Sequence, residues 1–103
     1  IEAEKRLRSA VARNDSANQQ ARLADARVLT RQGRAAEAVP VAEKAQNPET
    51  PESRFELALA LSQSNRLDEA VNSLDRALAL KPDYEEAFVL RGKLQARLKA
   101  RRP

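Results

Sequence analysis

Apolar residues recur at three- and four-residue intervals along the chain, as in Leu57, Ala58 and Leu61, then Leu67, Ala70, Val71, Leu74, Ala77 and Leu78. That spacing lines one face of an α-helix, and no run shows the polar–apolar alternation of a half-buried strand. The pattern is interrupted at Asn14-Asp15-Ser16, Gly33, Asn47-Pro48, Asn65 and Lys81-Pro82-Asp83, all residues that favour turns, caps or positive φ. Six helices are predicted, near 2–14, 18–32, 35–46, 51–64, 67–80 and 84–100. Connections of only ~2–5 residues force neighbouring helices to pack antiparallel.

The pattern also repeats. A shift of 32 residues lays Arg22 on Arg54, Ala26 on Ala58, Leu29 on Leu61 and Arg34 on Arg66. The same shift lays Glu37-Ala38-Val39 on Glu69-Ala70-Val71 and Ala45 on Ala77, while a shift of 34 lays Glu52 on Glu86, Phe55 on Val89 and Ala58 on Gly92. A period of this length built of two helices is the mark of a stacked repeat array.

These residues resemble the tetratricopeptide repeat. Arg54, Leu57-Ala58 and Leu61 stand at that family's first-helix positions, and Ala70, Leu74, Ala77 and Pro82 at its second-helix positions. A later unit offers Phe88 and Gly92, and an earlier one Ala26, Ala38, Ala42 and Ala45. The small residues let antiparallel helices approach closely, and a bulky residue in their place would overpack the contact. The resemblance implies an all-α solenoid of antiparallel helix pairs. Its expected units are 1–17 (the second helix of a truncated repeat), 19–50, 51–84, and 85–103 (a half-repeat or capping helix with a basic tail). Ala3, Leu7, Ala10 and Val11 repeat the spacing of Ala70, Leu74, Ala77 and Leu78. The chain therefore reads as a piece of a longer array, open to self-association through its truncated ends. Three residues depart from the family pattern: Asp25 stands where Leu is usual, and Arg91 and Gln95 replace apolar residues. Pro40 falls about one turn into its helix.

Composition narrows the function. The chain has 103 residues, 42% hydrophobic and 33% charged, which fits one folded domain and neither a disordered tract nor a membrane protein. Its longest apolar run, Leu57 to Leu61, is far short of the ~18 residues of a membrane span, and the opening residues carry no signal-peptide pattern. There is no Cys and no His, so thiolate nucleophiles, zinc–sulfur sites and the commonest general base are all missing. With two Gly there is no phosphate-cradling loop, and with 3% aromatics there is little to stack on single-stranded nucleic acid. The chain reads as a non-enzyme with no cofactor and no metal.

In the family, groove-lining residues fall at fixed positions of each first helix. Carried onto this chain, they give an apolar strip of Leu23, Phe55, Leu59 and Val89 flanked by Arg27, Arg31, Lys93 and Arg97. Phe55 is the expected anchor, since an exposed aromatic in a groove suits a partner's apolar side chain; the alternative is that it packs between adjacent helices as core. The Lys/Asn clamp that some members use for a C-terminal carboxylate would fall at Leu23, Arg27, Glu56, Glu86 and Leu90, where only Arg27 is suited. Asp68-Glu69 and Glu85-Glu86 stand in the first turns of helices, where acids complement the dipole, and read as structural. From Arg91 onward there are six cations and no acid; setting those six aside from the net charge of +4 leaves residues 1–90 at about −2. The tail reads first as a solvated helix end.

The expected function is a scaffold or adaptor module that binds a protein or peptide, of mixed apolar and acidic character, in a concave groove. The alternatives are a non-catalytic regulatory or targeting segment of a larger enzyme, and contact of the basic tail with nucleic acid or a membrane surface, with nucleic acid disfavoured. The expected compartment is soluble, the cytoplasm ahead of the periplasm, and Ala- and Arg-rich usage fits a bacterial source.

Overall fold

The computed structural model describes the backbone of residues 2–101 and the side chains of residues 17–101. Within them the chain forms five helices and no strand: α1 (Glu2–Arg31), α2 (Ala35–Lys44), α3 (Pro51–Gln63), α4 (Leu67–Leu80) and α5 (Glu85–Arg101). Each helix packs on its neighbour in sequence, and α1 also touches α3, so the chain is a layered stack of antiparallel helices. The expected all-α solenoid architecture is present.

The helix count differs by one because α1 runs without a break through Asn14-Asp15-Ser16. These residues favour turns, but each costs a helix interior no more than about 0.7 kcal/mol. Neither Gly nor Pro stands there to force a stop, so the boundary expected near residue 17 falls inside α1. The apolar stripe of Ala3, Leu7, Ala10 and Val11 lies outside the described side chains.

The internal repeat is visible in the turns. Gly33 and Asn65 occupy equivalent positions and both take positive φ, 77° and 64°. After each, the chain folds back so that Arg34 N–H donates to the Leu29 carbonyl (2.8 Å) and Arg66 N–H to the Leu61 carbonyl (2.9 Å). This six-to-one bond closes the preceding helix and needs a residue that tolerates the left-handed region, which Gly does freely and Asn better than most. Arg34 and Arg66 then pair with Glu37 and Glu69, each at 2.5 Å across the new helix's first turn.

The longer connection between α2 and α3 is held by polar side chains. Thr50 and Ser53 form a reciprocal capping box, with Pro51 at the first helical position where no N–H is needed. Gln46 donates to the Ala42 and Ser53 carbonyls (2.8 and 2.9 Å), and from α1 buried Gln19 donates to the Ala45 (2.9 Å) and Pro48 carbonyls. Glu49 joins the loop to two helices, accepting from Arg54 Nε at 2.9 Å and from Arg76 Nη2 at 2.6 Å.

The core is mostly alanine. Ala26, Ala38, Ala42, Ala58, Ala60, Ala70, Ala77 and Ala87 are all buried, with Leu57, Leu61, Leu67, Leu74 and Leu94 filling the space between them. The depth of Pro40 is fixed here, and one expectation, the close packing of Gly92, is corrected. Pro40 is the sixth residue of α2 and lies beyond the unpaired first turn, so the helix forgoes one backbone bond at that point. Gly92 makes no close helix contact: a Cβ placed on it would meet nothing within 4 Å. No helix among the described residues covers that side of α5.

Because Ala70 is fully buried between close helices, Ala70→Leu should lower the unfolding free energy by ~1–3 kcal/mol through overpacking. Chemical denaturation measures this, and an unchanged midpoint would show that the contact has room. A second expectation concerns acid. Hydrogen bonds from Arg54 and then Arg76 hold the Glu49 carboxyl below its ordinary value near 4.5. The stability this group confers is therefore present above the unfolded value and lost as pH falls through the folded one. Glu49→Gln should flatten the decline in stability below about pH 4.5; superimposable acid-unfolding profiles would show that the cluster contributes nothing.

Candidate functional site: a groove across alternate helices

Short connections make α1, α3 and α5 run in the same direction along one side of the stack, with α2 and α4 on the other. Two hollows lie on the α1–α3–α5 side. One, of about 280 Å³, is lined by Arg27, Thr30 and Arg31 of α1 together with Phe55, Glu56, Leu59 and Gln63 of α3. The other, of about 380 Å³, continues from Phe55 and Leu59 to Glu85, Glu86, Val89, Leu90 and Lys93 of α5. The shared Phe55 and Leu59 make the two hollows one shallow groove.

Of the residues expected in the groove, Arg27, Arg31, Phe55, Leu59, Val89 and Lys93 are brought together. Arg97 is exposed one turn beyond Lys93 and outside either hollow. Leu23 does not join them: it is 3% exposed and lies in the core. Among the described side chains of α1 the buried residues are Gln19, Leu23, Ala26 and Thr30, while Asp25 is exposed. Gln19, Leu23, Ala26 and Thr30 fall on one face of the helix, the face turned to the interior, which takes Leu23 off the groove surface.

Phe55 is half-buried and stacks on Tyr84, with ring centroids 5.3 Å apart and planes tilted by 33°. It therefore both packs on the core and contributes to the groove wall. Tyr84 follows the Pro82-Asp83 turn and directly precedes α5, which starts one residue later than the expected 84. Burial, followed by the charges of Glu86, Glu52 and Glu56, raises the Tyr84 hydroxyl above its ordinary pKa. The phenol accordingly stays neutral at physiological pH.

Glu56 was also hidden in the sequence. Its side chain is 10% exposed and accepts from Arg27 Nε at 3.0 Å, so the ion pair ties α3 to α1. Arg27 is thereby engaged within the chain. The remaining charges divide across the groove, with Glu52, Glu85 and Glu86 in the first turns of α3 and α5 on one rim and Arg31, Lys93 and Arg97 toward the other.

The basic tail is helical through Arg101. Arg91 pairs with Asp75 at 2.9 Å and lies 5.7 Å over the Phe88 ring, and Arg101 donates to Asn65 Oδ1. Among the described residues no three acidic groups converge as a metal site would need, and no helix is long and apolar enough to cross a membrane.

A family model described as tetratricopeptide repeat matches residues 29–98, and a second of the same description matches residues 2–54. The chain belongs to the tetratricopeptide repeat family. Tetratricopeptide repeats generally mediate protein–protein interaction and are typically non-catalytic. Neither a curated protein nor a solved structure matches the chain.

Within this tetratricopeptide stack the two α1 arginines differ in role. Arg27→Ala strands the buried Glu56 carboxylate and should cost roughly 1–3 kcal/mol in stability. Arg31→Ala, at an exposed position, should stay within about 0.5 kcal/mol. Thermal unfolding compares them, and equal effects would mean that Glu56 finds water or another donor.

Proposed function

We propose that the chain is a scaffold or adaptor module that binds a segment of a partner protein along the α1–α3–α5 groove. The observation that carries this reading is the continuity of the two hollows over Phe55 and Leu59, with Val89 half-exposed at their α5 wall. The apolar floor is narrow, so hydrophobic burial supplies only part of the affinity and charge supplies direction. Arg31, Lys93 and Arg97 favour carboxylates, and arginine can meet a carboxylate with two parallel hydrogen bonds. Glu52, Glu85 and Glu86 favour cations at the opposite rim. The preferred partner segment has two or three apolar residues in its centre, with acids facing the Arg31 rim and bases facing the Glu52 rim. A carboxylate clamp is not supported, because Arg27 already serves Glu56. A nucleic-acid role for the tail gains no support either, since Arg91 and Arg101 are held by Asp75 and Asn65.

Panning a random peptide library against the immobilised chain should enrich apolar segments that also carry acids. Fluorescence anisotropy of a selected peptide should then show roughly tenfold weaker binding, about 1.4 kcal/mol, for Arg31→Glu and for Val89→Asp. Binding should survive the step from about 50 to about 200 mM salt, over which phosphate-driven affinity collapses. Peptides of purely basic composition, or affinities indifferent to both substitutions, would move binding away from this groove.

A further inference from the structure

The outer face of α5 points to a second interface, which borders the groove at Glu85 and Val89. Phe88 and Val89 are 62% and 52% exposed, among the most exposed large apolar side chains described. Gly92, one turn on, faces open space. At the equivalent repeat positions Ala26 and Ala58 are 1% and 0% exposed, each enclosed by helix packing. The face of α5 thus carries the small residue that elsewhere in this chain receives a close helix, and no described helix sits on it.

We propose that this face receives α5 of a second copy of the chain, antiparallel, about a two-fold axis passing near Gly92. The sequence is self-complementary about that point. Four residues before Gly92 stands Phe88 and four after it Ala96, so each protomer's large ring meets its partner's smallest side chain. Seven before it stands Glu85 and seven after it Lys99, so the axis brings each acid opposite a base on both sides of the crossing. At 3.6 residues per turn, these five residues fall within about 80° of one another around the helix, which makes them a single face. All but Gly92 carry exposed side chains, and the whole face is solvent-open in one protomer. A two-fold interface requires such pairing of one patch with itself. The contact is confined to one pair of helices, each about 25 Å long at 1.5 Å per residue. It falls at the small end of interface sizes, below about 1,200 Å², so the dimer should be reversible and of micromolar affinity.

Sedimentation equilibrium of the 103-residue chain from micromolar to millimolar concentration should show a monomer–dimer equilibrium. Gly92→Leu has space in the single chain but would separate the two helices at the axis, and it should weaken dimerisation tenfold or more with unchanged helical circular dichroism. Glu85→Lys and Lys99→Glu should each weaken it several-fold, and the two combined in one chain should restore it. A monomer at every concentration would overturn the proposal. So would a dimer indifferent to Gly92→Leu, or single charge reversals that the double reversal fails to rescue. Open-ended oligomers, which a head-to-tail contact would build, would also overturn it.

Discussion

Close approach of helices at alanine is the constraint on which the rest of this structure depends. Each Ala brings little apolar area, so its value lies in how near it lets two backbones come and how many dispersion contacts follow. Ala38 and Ala42 on α2, Ala45 just past its end, and Ala58 and Ala60 on α3 are enclosed to the last few per cent, and so are Ala70 and Ala77 on α4. Leucines occupy the remaining interior at intervals set by the helical period. A core of this kind has few ways to absorb a larger side chain, because every wall is backbone. The stack is therefore stiff where helices meet and adaptable only at its surfaces.

Polar contacts act at the places where that packing leaves the chain without support. Glu49 reaches from a loop to Arg54 on α3 and Arg76 on α4, and Glu56 joins α3 to Arg27 on α1. Gln19, Gln46, Thr50 and Ser53 occupy the carbonyls and amides of the α2–α3 connection. Since unpaired backbone groups in a half-buried loop are costly, these side chains fix how α3 enters the stack. That entry angle sets the spacing between α1 and α3, and so the width of the groove in which Phe55 and Leu59 lie.

The two apolar surfaces differ in kind. The groove is concave, runs over several helices, and grades from acidic to basic along their common direction. The outer face of α5 is a single helix with a glycine at its centre. In the proposed reading the first receives a segment lying across the helices between its two charged rims, and the second receives another helix. Val89 stands at the border between them, lining the groove while half-exposed.

Local chemistry determined the helices, their closing turns and the repeat. Gly33 and Asn65 are legible because a left-handed residue admits few types, and the alanine positions because a helical period makes a face visible without coordinates. Stop signals were less secure: Asn14-Asp15-Ser16 favours a turn only weakly, and α1 passes through it. The groove was legible in its membership on α3 and α5, where the period alone assigns Phe55, Leu59 and Val89 to one side. Only the tertiary structure decided what faces what. Leu23 lies in the core because its face of α1 is the one turned to the neighbouring helices, Arg27 is engaged because Glu56 is buried beside it, and Tyr84 backs Phe55 from a loop. Each of these depends on residues far apart in sequence meeting across a helix interface, and no spacing within a single helix records that distance.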